Sequence, residues 1–317
     1  MFAKRDPKKW PSVFRINSRE NKGLWSMMRF LCIGSCSRLT AIALAMVAVP
    51  AFAGYPPEWT EPVKTFRIAP GITYVGTRGL SAYLIETDAG AILLEGTMPA
   101  NAALIEHNIE SVGVALHQVK ILISNHAHID HAGALAKIKA DTGARVLASA
   151  QDRWALEHGV PRGDTDYGVL KFPAVAVDGI VRDGQQVRLG TTVLTAHLTP
   201  GHTPGCTTWT MTVTEHGRPL TVMFLGSVSV AGNLLTGNHA YPGIVTEFRA
   251  TLAKLARMKA DIVLTGHPEV SDMFARAAKA QAGDADAFVD PAQLGKIVAE
   301  AKTDFEAELV KSPKPAK

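Results

Sequence analysis

Apolar positions in residues 63–149 fall into short strand-like runs and longer helical ones. "TFRIA", "TYVGT", "SAYLIET" and "AILLEG" are rich in β-branched and aromatic residues, with "PG" and "DAG" as punctuation, and predict four strands between residues 65 and 96. "ANAALIEHNIESVG" (residues 100–113) changes to a helical period and is closed by Gly113. "VKILIS" (residues 119–124) is apolar almost without interruption, as in a buried strand. A helix, "ALAKIKADTG", and a strand, "ARVLAS", follow.

The second half repeats this plan. "QQVRLG", "TVLTAHLT", "CTTWTMTV" and "PLTVMFLG" predict four strands, "VTEFRATLAKLARMK" an amphipathic helix and "ADIVLTG" a buried strand. Two helices are expected between residues 271 and 308. Two strand-rich halves, each with helices, predict an α/β layered domain of two face-to-face sheets with helices outside. No Gly/Ser-rich linker divides them, so residues 54–310 are expected to be one domain, with "KSPKPAK" (residues 311–317) as a disordered tail.

The N-terminus has a different pattern. "LTAIALAMVAV" (residues 39–49) is an apolar run preceded by Arg29 and Arg38, and "PAFAG" follows with Ala51 and Ala53 in an A-x-A arrangement. This order predicts a secretory signal peptide in residues 1–53, cleaved after Ala53, and a periplasmic mature protein. The stretch before the apolar run is long for such a signal, and Met27 or Met28 is a plausible alternative start. No apolar run in the body of the chain approaches the roughly 20 residues of a membrane-spanning helix, so no membrane association is expected after cleavage.

The leader changes the charge. The whole chain carries 33 Lys/Arg and 29 Asp/Glu; without the leader's nine basic and two acidic residues it has 24 and 27, a net of −3. A mature chain of that balance has no electrostatic case for nucleic acid. Of the three cysteines, Cys32 and Cys36 lie in the leader, so Cys206 would be alone and no intramolecular disulfide is possible.

The candidate chemistry lies in "SNHAHIDHAG" (residues 124–133), directly after the buried strand. His126, His128, Asp130 and His131 are all good zinc ligands, and His126 and His128, two residues apart, can reach one ion from a strand or a loop. Four ligands so close do not fill one tetrahedral site comfortably, so two adjacent ions, each drawing ligands from farther along the chain, are expected. His202 in the Gly/Pro-rich loop "TPGHTPG" and His267 in "LTGHPE", after a buried strand, are the candidates, because loops at strand ends are where sites are assembled. An isolated histidine is ordinarily a satisfied surface or core residue, which is the expectation for His107, His117, His158, His197, His216 and His239.

With its H-x-H-x-D-H signature read as His126-Ala-His128-Ile-Asp130-His131, the chain resembles the metallo-β-lactamase superfamily. "LTAHLTPGHTPGCTTWT", "GNHAYPGIVTEF" and "DIVLTGHP" are similar to class B β-lactamases of the third subclass, over nearly all of residues 59–305. The resemblance implies an αββα sandwich and two Zn2+ per chain, one held by His126, His128 and His202, the other by Asp130, His131 and His267. It implies a hydroxide shared between the ions that attacks the β-lactam amide of penicillins, cephalosporins and carbapenems, giving antibiotic resistance, with Asp130 as the catalytic residue that orients it. Ser227 and Ser229 in "GSVSV" resemble the serines that hold the substrate carboxylate. The implied protein is a monomer acting on small molecules.

Three positions depart from that pattern. Glu95-Gly96 stands where relatives often have Asp-Gly, Gly226 where an aspartate is common, and the relatives' late cysteine pair would fall near Ala260 and Leu294, neither of which is cysteine, so that disulfide is missing. Lactonases and thioesterases of the same fold are the main rivals; they typically place a metal-bridging aspartate after the strand "TVMFLG", where this chain has Gly226-Ser227 and no carboxylate until Glu247. Export and an acidic mature chain oppose a nuclease. A non-catalytic zinc-binding protein would favour a site closed to water.

Overall fold

The computed structural model describes residues 54–166 and 168–312; the leader and residues 313–317 lie outside the described residues. The described residues from Pro57 onward form one compact unit. Its first sheet has seven strands in chain order: β1 (Phe66–Ala69), β2 (Ile72–Tyr74), β3 (Tyr83–Thr87), β4 (Gly90–Leu94), β5 (Val119–Ile123), β6 (Arg145–Ser149) and β7 (Gly179–Val181). β1 to β4 form an antiparallel meander, and β4 to β7 run parallel. The second sheet has five strands: β8 (Gln186–Leu189), β9 (Thr192–Leu198), β10 (Thr207–Glu215), β11 (Arg218–Leu225) and β12 (Ile262–Thr265), with β12 joined parallel to β11.

The side-chain alternation of a strand sorts the apolar residues into layers. Ile92 and Leu94 of β4, Ile121 and Ile123 of β5, Val222 and Phe224 of β11, and Ile262 and Leu264 of β12 meet in the core between the sheets. Their alternate neighbours Met223, Leu225 and Val263 enter a second core with Phe248, Leu252, Leu294, Val298 and Phe305, which come from α5 (Ile244–Leu255) and α7 (Gln293–Lys311). On the far face of the first sheet, Leu93 and Leu122 are buried, α3 (Leu135–Thr142) lies against β5, and α4 (Ala150–His158) against β6. This is the expected αββα order, and strands buried on both faces explain the unbroken apolar runs.

The remaining helices are α1 (Ala102–Ser111), the single turn α2 (Ile129–Ala132) and α6 (Met273–Gln281). Three of these elements are absent from the sequence prediction: α2, α4 and β7. Glu157 and His158 belong to α4, and the irregular stretch that follows begins at Gly159. α7 runs to Lys311, one residue into the expected tail. Ala260 and Leu294 both lie in the α5–α7 core, where apolar packing stands in for the missing disulfide. Cys206 is the one free cysteine among the described residues and is buried.

Candidate metal centre

The ends of β4, β5, β11 and β12 and the β9–β10 loop converge at one edge of the sandwich. Gly96 N donates to His131 O at 2.7 Å, Thr207 N to Asn125 O at 2.8 Å, and Asn125 Nδ2 to Leu225 O at 2.9 Å. These bonds tie segments far apart in sequence around the histidine cluster. His128 is extended (φ −109°, ψ 160°) and precedes α2, so the chain turns helical within the motif. That switch places Asp130 and His131 in the first turn of α2, with the His131 ring 3.9 Å from that of His126.

All six expected ligands are brought together, and they divide as expected. The ligand atoms of His126, His128 and His202 lie within 4.8 Å of one another, and so do those of Asp130, His131 and His267. In the first set His202 Nε2 faces His128 Nδ1 at 3.1 Å. In the second, Asp130 Oδ2 is 3.5 Å from His131 Nε2 and 3.3 Å from His267 Nε2. Five of the six residues are buried, while the His267 side chain keeps 28% exposure, so the second set is open on one side.

Neighbouring acceptors fix which nitrogens face inward. His202 Nδ1 lies 2.8 Å from Ser229 O, and a carbonyl only accepts, so Nδ1 carries the proton and Nε2 keeps its lone pair. His131 Nδ1 lies 3.2 Å from Glu95 Oε1, which sets the same tautomer there. Glu95 is fully buried, sits at φ +76°, and also accepts from Ser124 Oγ at 2.8 Å and Asn125 N at 3.3 Å. Thr97, at φ +54°, shares the strain. Such backbone costs of order 1–3 kcal/mol per residue and gathers at functional sites.

The electrostatics favour a cation. Burial, reinforced by the neighbouring histidines, holds His126 and His202 well below the ordinary imidazole range. Burial lowers His128 to about 4. These three rings are therefore neutral and offer lone pairs. Neither ring nitrogen of His126 has a hydrogen-bond partner, a buried arrangement that costs about 1–3 kcal/mol for each unsatisfied group unless an ion accepts the lone pair. Burial opposes ionisation of Asp130, yet His131 and His267 outweigh it and hold the carboxyl well below the carboxylate range. Burial alone would lower His131, but Asp130 and Glu95 raise it to about 9. Three neutral imidazoles in the first set, and an ionised carboxylate between two histidines in the second, suit divalent metal ions.

Ser227 and Ser229 follow β11, half-buried, with their hydroxyls 3.1 Å apart. Sequence reasoning missed Trp59, whose ring lies 5.8 Å from that of His267. It also missed Asn233, whose Nδ2 donates to His202 O at 3.1 Å and Val230 O at 2.8 Å, and Asp152, in the first turn of α4. The cap pattern from Ser149 to Gly159 was a usable signal for the helix that carries Asp152; Trp59 and Asn233 carry none.

This sandwich with two adjacent sets of metal donors at its edge defines a metal-dependent hydrolase. A family model for the metallo-beta-lactamase superfamily matches residues 75–267, and the chain belongs to that superfamily. Among solved structures, it is 42% identical to BJP-1, a subclass B3 metallo-beta-lactamase of Bradyrhizobium japonicum, with a TM-score of 0.77 over 80% of this chain and 97% of that one. It is 36% identical to the FEZ-1 metallo-beta-lactamase of Legionella gormanii, with a TM-score of 0.76 over 81% and 98%. Among curated relatives it is 28% identical over 156 residues to a probable metallo-hydrolase of Burkholderia pseudomallei, 46% of this chain and 49% of that one. A hydroxyacylglutathione hydrolase of Methylobacterium nodulans is 29% identical over 131 residues, 39% of this chain and 43% of that one. Each of these two matches spans less than half the relative's length.

Proposed function

We propose that the protein is a zinc-dependent β-lactamase that opens the β-lactam amide of penicillins, cephalosporins and carbapenems. The supporting observation is the likeness to subclass B3 metallo-beta-lactamase structures over almost their whole length. The strand-end residue is Gly226, and a Cβ built on it would lie 2.8 Å from Cys206 Sγ and 3.0 Å from Thr199 Oγ1, so a carboxylate there would require the surroundings to move.

His126, His128 and His202 would hold one Zn2+, and Asp130, His131 and His267 a second. When bound, such ions would lower the pKa of a coordinated water toward neutrality and polarise the carbonyl under attack. Asp130, ionised at any working pH, would accept a hydrogen bond from the attacking water or hydroxide and fix its direction of approach. Ser227 and Ser229 would donate to the substrate carboxylate, placing the ring over the two donor sets. Ser229 couples that contact to the metal set, because its carbonyl holds His202. No side-chain nucleophile is needed, so no acyl-enzyme forms.

We further propose a monomeric periplasmic enzyme. Protein recovered from the periplasm should begin at Gly54 by mass spectrometry; an intact leader on cytoplasmic protein would overturn the localisation. The activity is tested by hydrolysis of a penicillin, a cephalosporin and imipenem by the mature protein, with and without chelator, beside a simple lactone and a thioester. Chelator-sensitive turnover of the β-lactams is expected. Efficient turnover of the lactone or thioester with every β-lactam untouched would refute the proposal.

A further inference from the structure

The two loops that supply the all-histidine set share a buried carboxylate outside the ligand set. Asp152, 3% exposed, sits in the first turn of α4. Its Oδ2 accepts from Ala127 N at 3.1 Å, the amide between His126 and His128, and from Thr203 Oγ1 at 3.0 Å, the residue after His202. Its Oδ1 accepts from Gly205 N at 3.0 Å. All three donors thus lie on the two loops carrying His126, His128 and His202, and none belongs to the Asp130, His131 and His267 set.

The surroundings are shaped around this contact. A Cβ on Gly205 would stand 2.4 Å from Asp152 N and 2.5 Å from its carboxyl carbon, so glycine permits the approach. Ser149 Oγ accepts from Asp152 N at 3.2 Å and donates to Gly205 O at 2.8 Å, fixing the first turn of α4 against the same loop. A helix N-terminus ordinarily turns such a carboxylate back on its own amides; here it faces across to another part of the chain.

We propose that Asp152 is a positioning residue for the all-histidine set: it clamps the 126–128 loop to the 202–205 loop and so controls metal occupancy of that set selectively. Two of the three donors are backbone amides that cannot reverse. An asparagine at 152 must therefore turn its NH2 toward either Ala127 N or Gly205 N, and one contact becomes repulsive. Losing a supporting contact of this kind typically weakens metal binding by about 10- to 100-fold. The inference rests on the paired sets being metal sites, and the experiment separates failure of that premise from failure of the clamp.

Chelator-stripped mature protein is titrated with Zn2+ against a competing chromophoric chelator, for wild type, Asp152→Asn and Thr203→Val, with the apo unfolding midpoint of each recorded. Wild type should bind in two steps; if it bound no Zn2+, the metal-site reading itself would fail. Asp152→Asn should weaken one step by about 10- to 100-fold and leave the other unchanged, and adding His202→Ala should remove the step that had weakened. Thr203→Val removes one of the three donors and should shift the same step by a smaller factor with the apo midpoint preserved. Should Asp152→Asn not fold, Thr203→Val decides alone. Unchanged affinity in the folded variants, or equal weakening of both steps, would overturn the clamp; a purely structural role predicts a lower apo midpoint with no selectivity between steps.

Discussion

Glu95 offers a test of how a residue outside the ligand set controls metal binding, because charge and shape can be changed separately. Glu95→Gln is nearly isosteric. Its carbonyl oxygen can keep both bonds made by Oε1, from His131 Nδ1 and Asn125 N, while its NH2 replaces Oε2 and donates to Ser124 Oγ. Ser124 Oγ retains His126 O as an acceptor at 2.9 Å, so no donor is orphaned. What disappears is the negative charge behind His131, which makes that imidazole a better ligand. The expected loss is about tenfold in Zn2+ affinity of the Asp130, His131 and His267 set, or about 1.4 kcal/mol. Glu95→Ala also removes the acceptor, leaving His131 Nδ1–H and Asn125 N–H buried and unsatisfied at about 1–3 kcal/mol each. The alanine still occupies φ +76° and so relieves no strain. Its loss at that set should approach 100-fold, with a fall in thermal midpoint that Glu95→Gln does not show. Competition with a chromophoric chelator reads the affinity, and calorimetry the midpoint. If Glu95→Gln left both binding steps unchanged, or weakened only the all-histidine set, the role assigned to this carboxylate would be wrong.

Burial and the neighbouring Asp141 push the Glu106 carboxyl up to about 7 from its ordinary 4.5. A raised folded pKa means the native state binds the proton more tightly, so this contribution is full below about 4.5 and lost as pH rises through about 7. Glu106→Gln should therefore flatten the fall in thermal midpoint over that window at fixed metal; an unchanged slope would refute the assignment. His267→Ala should reduce zinc content toward one ion per chain by metal analysis of the dialysed protein, and retention of full content and activity would remove His267 from the ligand set. Ser227→Ala removes one hydrogen bond to a charged carboxylate, about 1.5–3 kcal/mol, so kcat/KM for imipenem should fall roughly 10- to 100-fold with zinc content unchanged; an undiminished kcat/KM would mean that the serine does not touch the substrate.

The candidate ligand set could be read in the sequence because metal chemistry narrows the choice. Few residue types donate to zinc, and His126, His128, Asp130 and His131 concentrate them in one stretch. His202 and His267 were recognisable because each sits in a loop beside a strand that the apolar pattern already marked. The layers were legible for a related reason: strands buried on both faces, such as β5 and β12, leave nearly unbroken apolar runs. β7 left no such mark, since it is a three-residue edge strand with only Val181 buried. α4 had its capping serine and closing glycine, but its apolar face is short, Ala155 and Leu156, and the helical period did not stand out. The residues that hold the ligands are of another kind. Any of the 27 carboxylates after the leader could accept a hydrogen bond, and nothing in the sequence around Asp152 indicates that its partners lie 25 and about 50 residues away. Glu95 was noticed only as a departure from a familiar pattern, and what it bonds is set by the register of β4 beside β5. A ligand is constrained by the ion it must bind, and so by residue type. A supporting acceptor is constrained only by where the fold places it, which makes it a property of the folded chain.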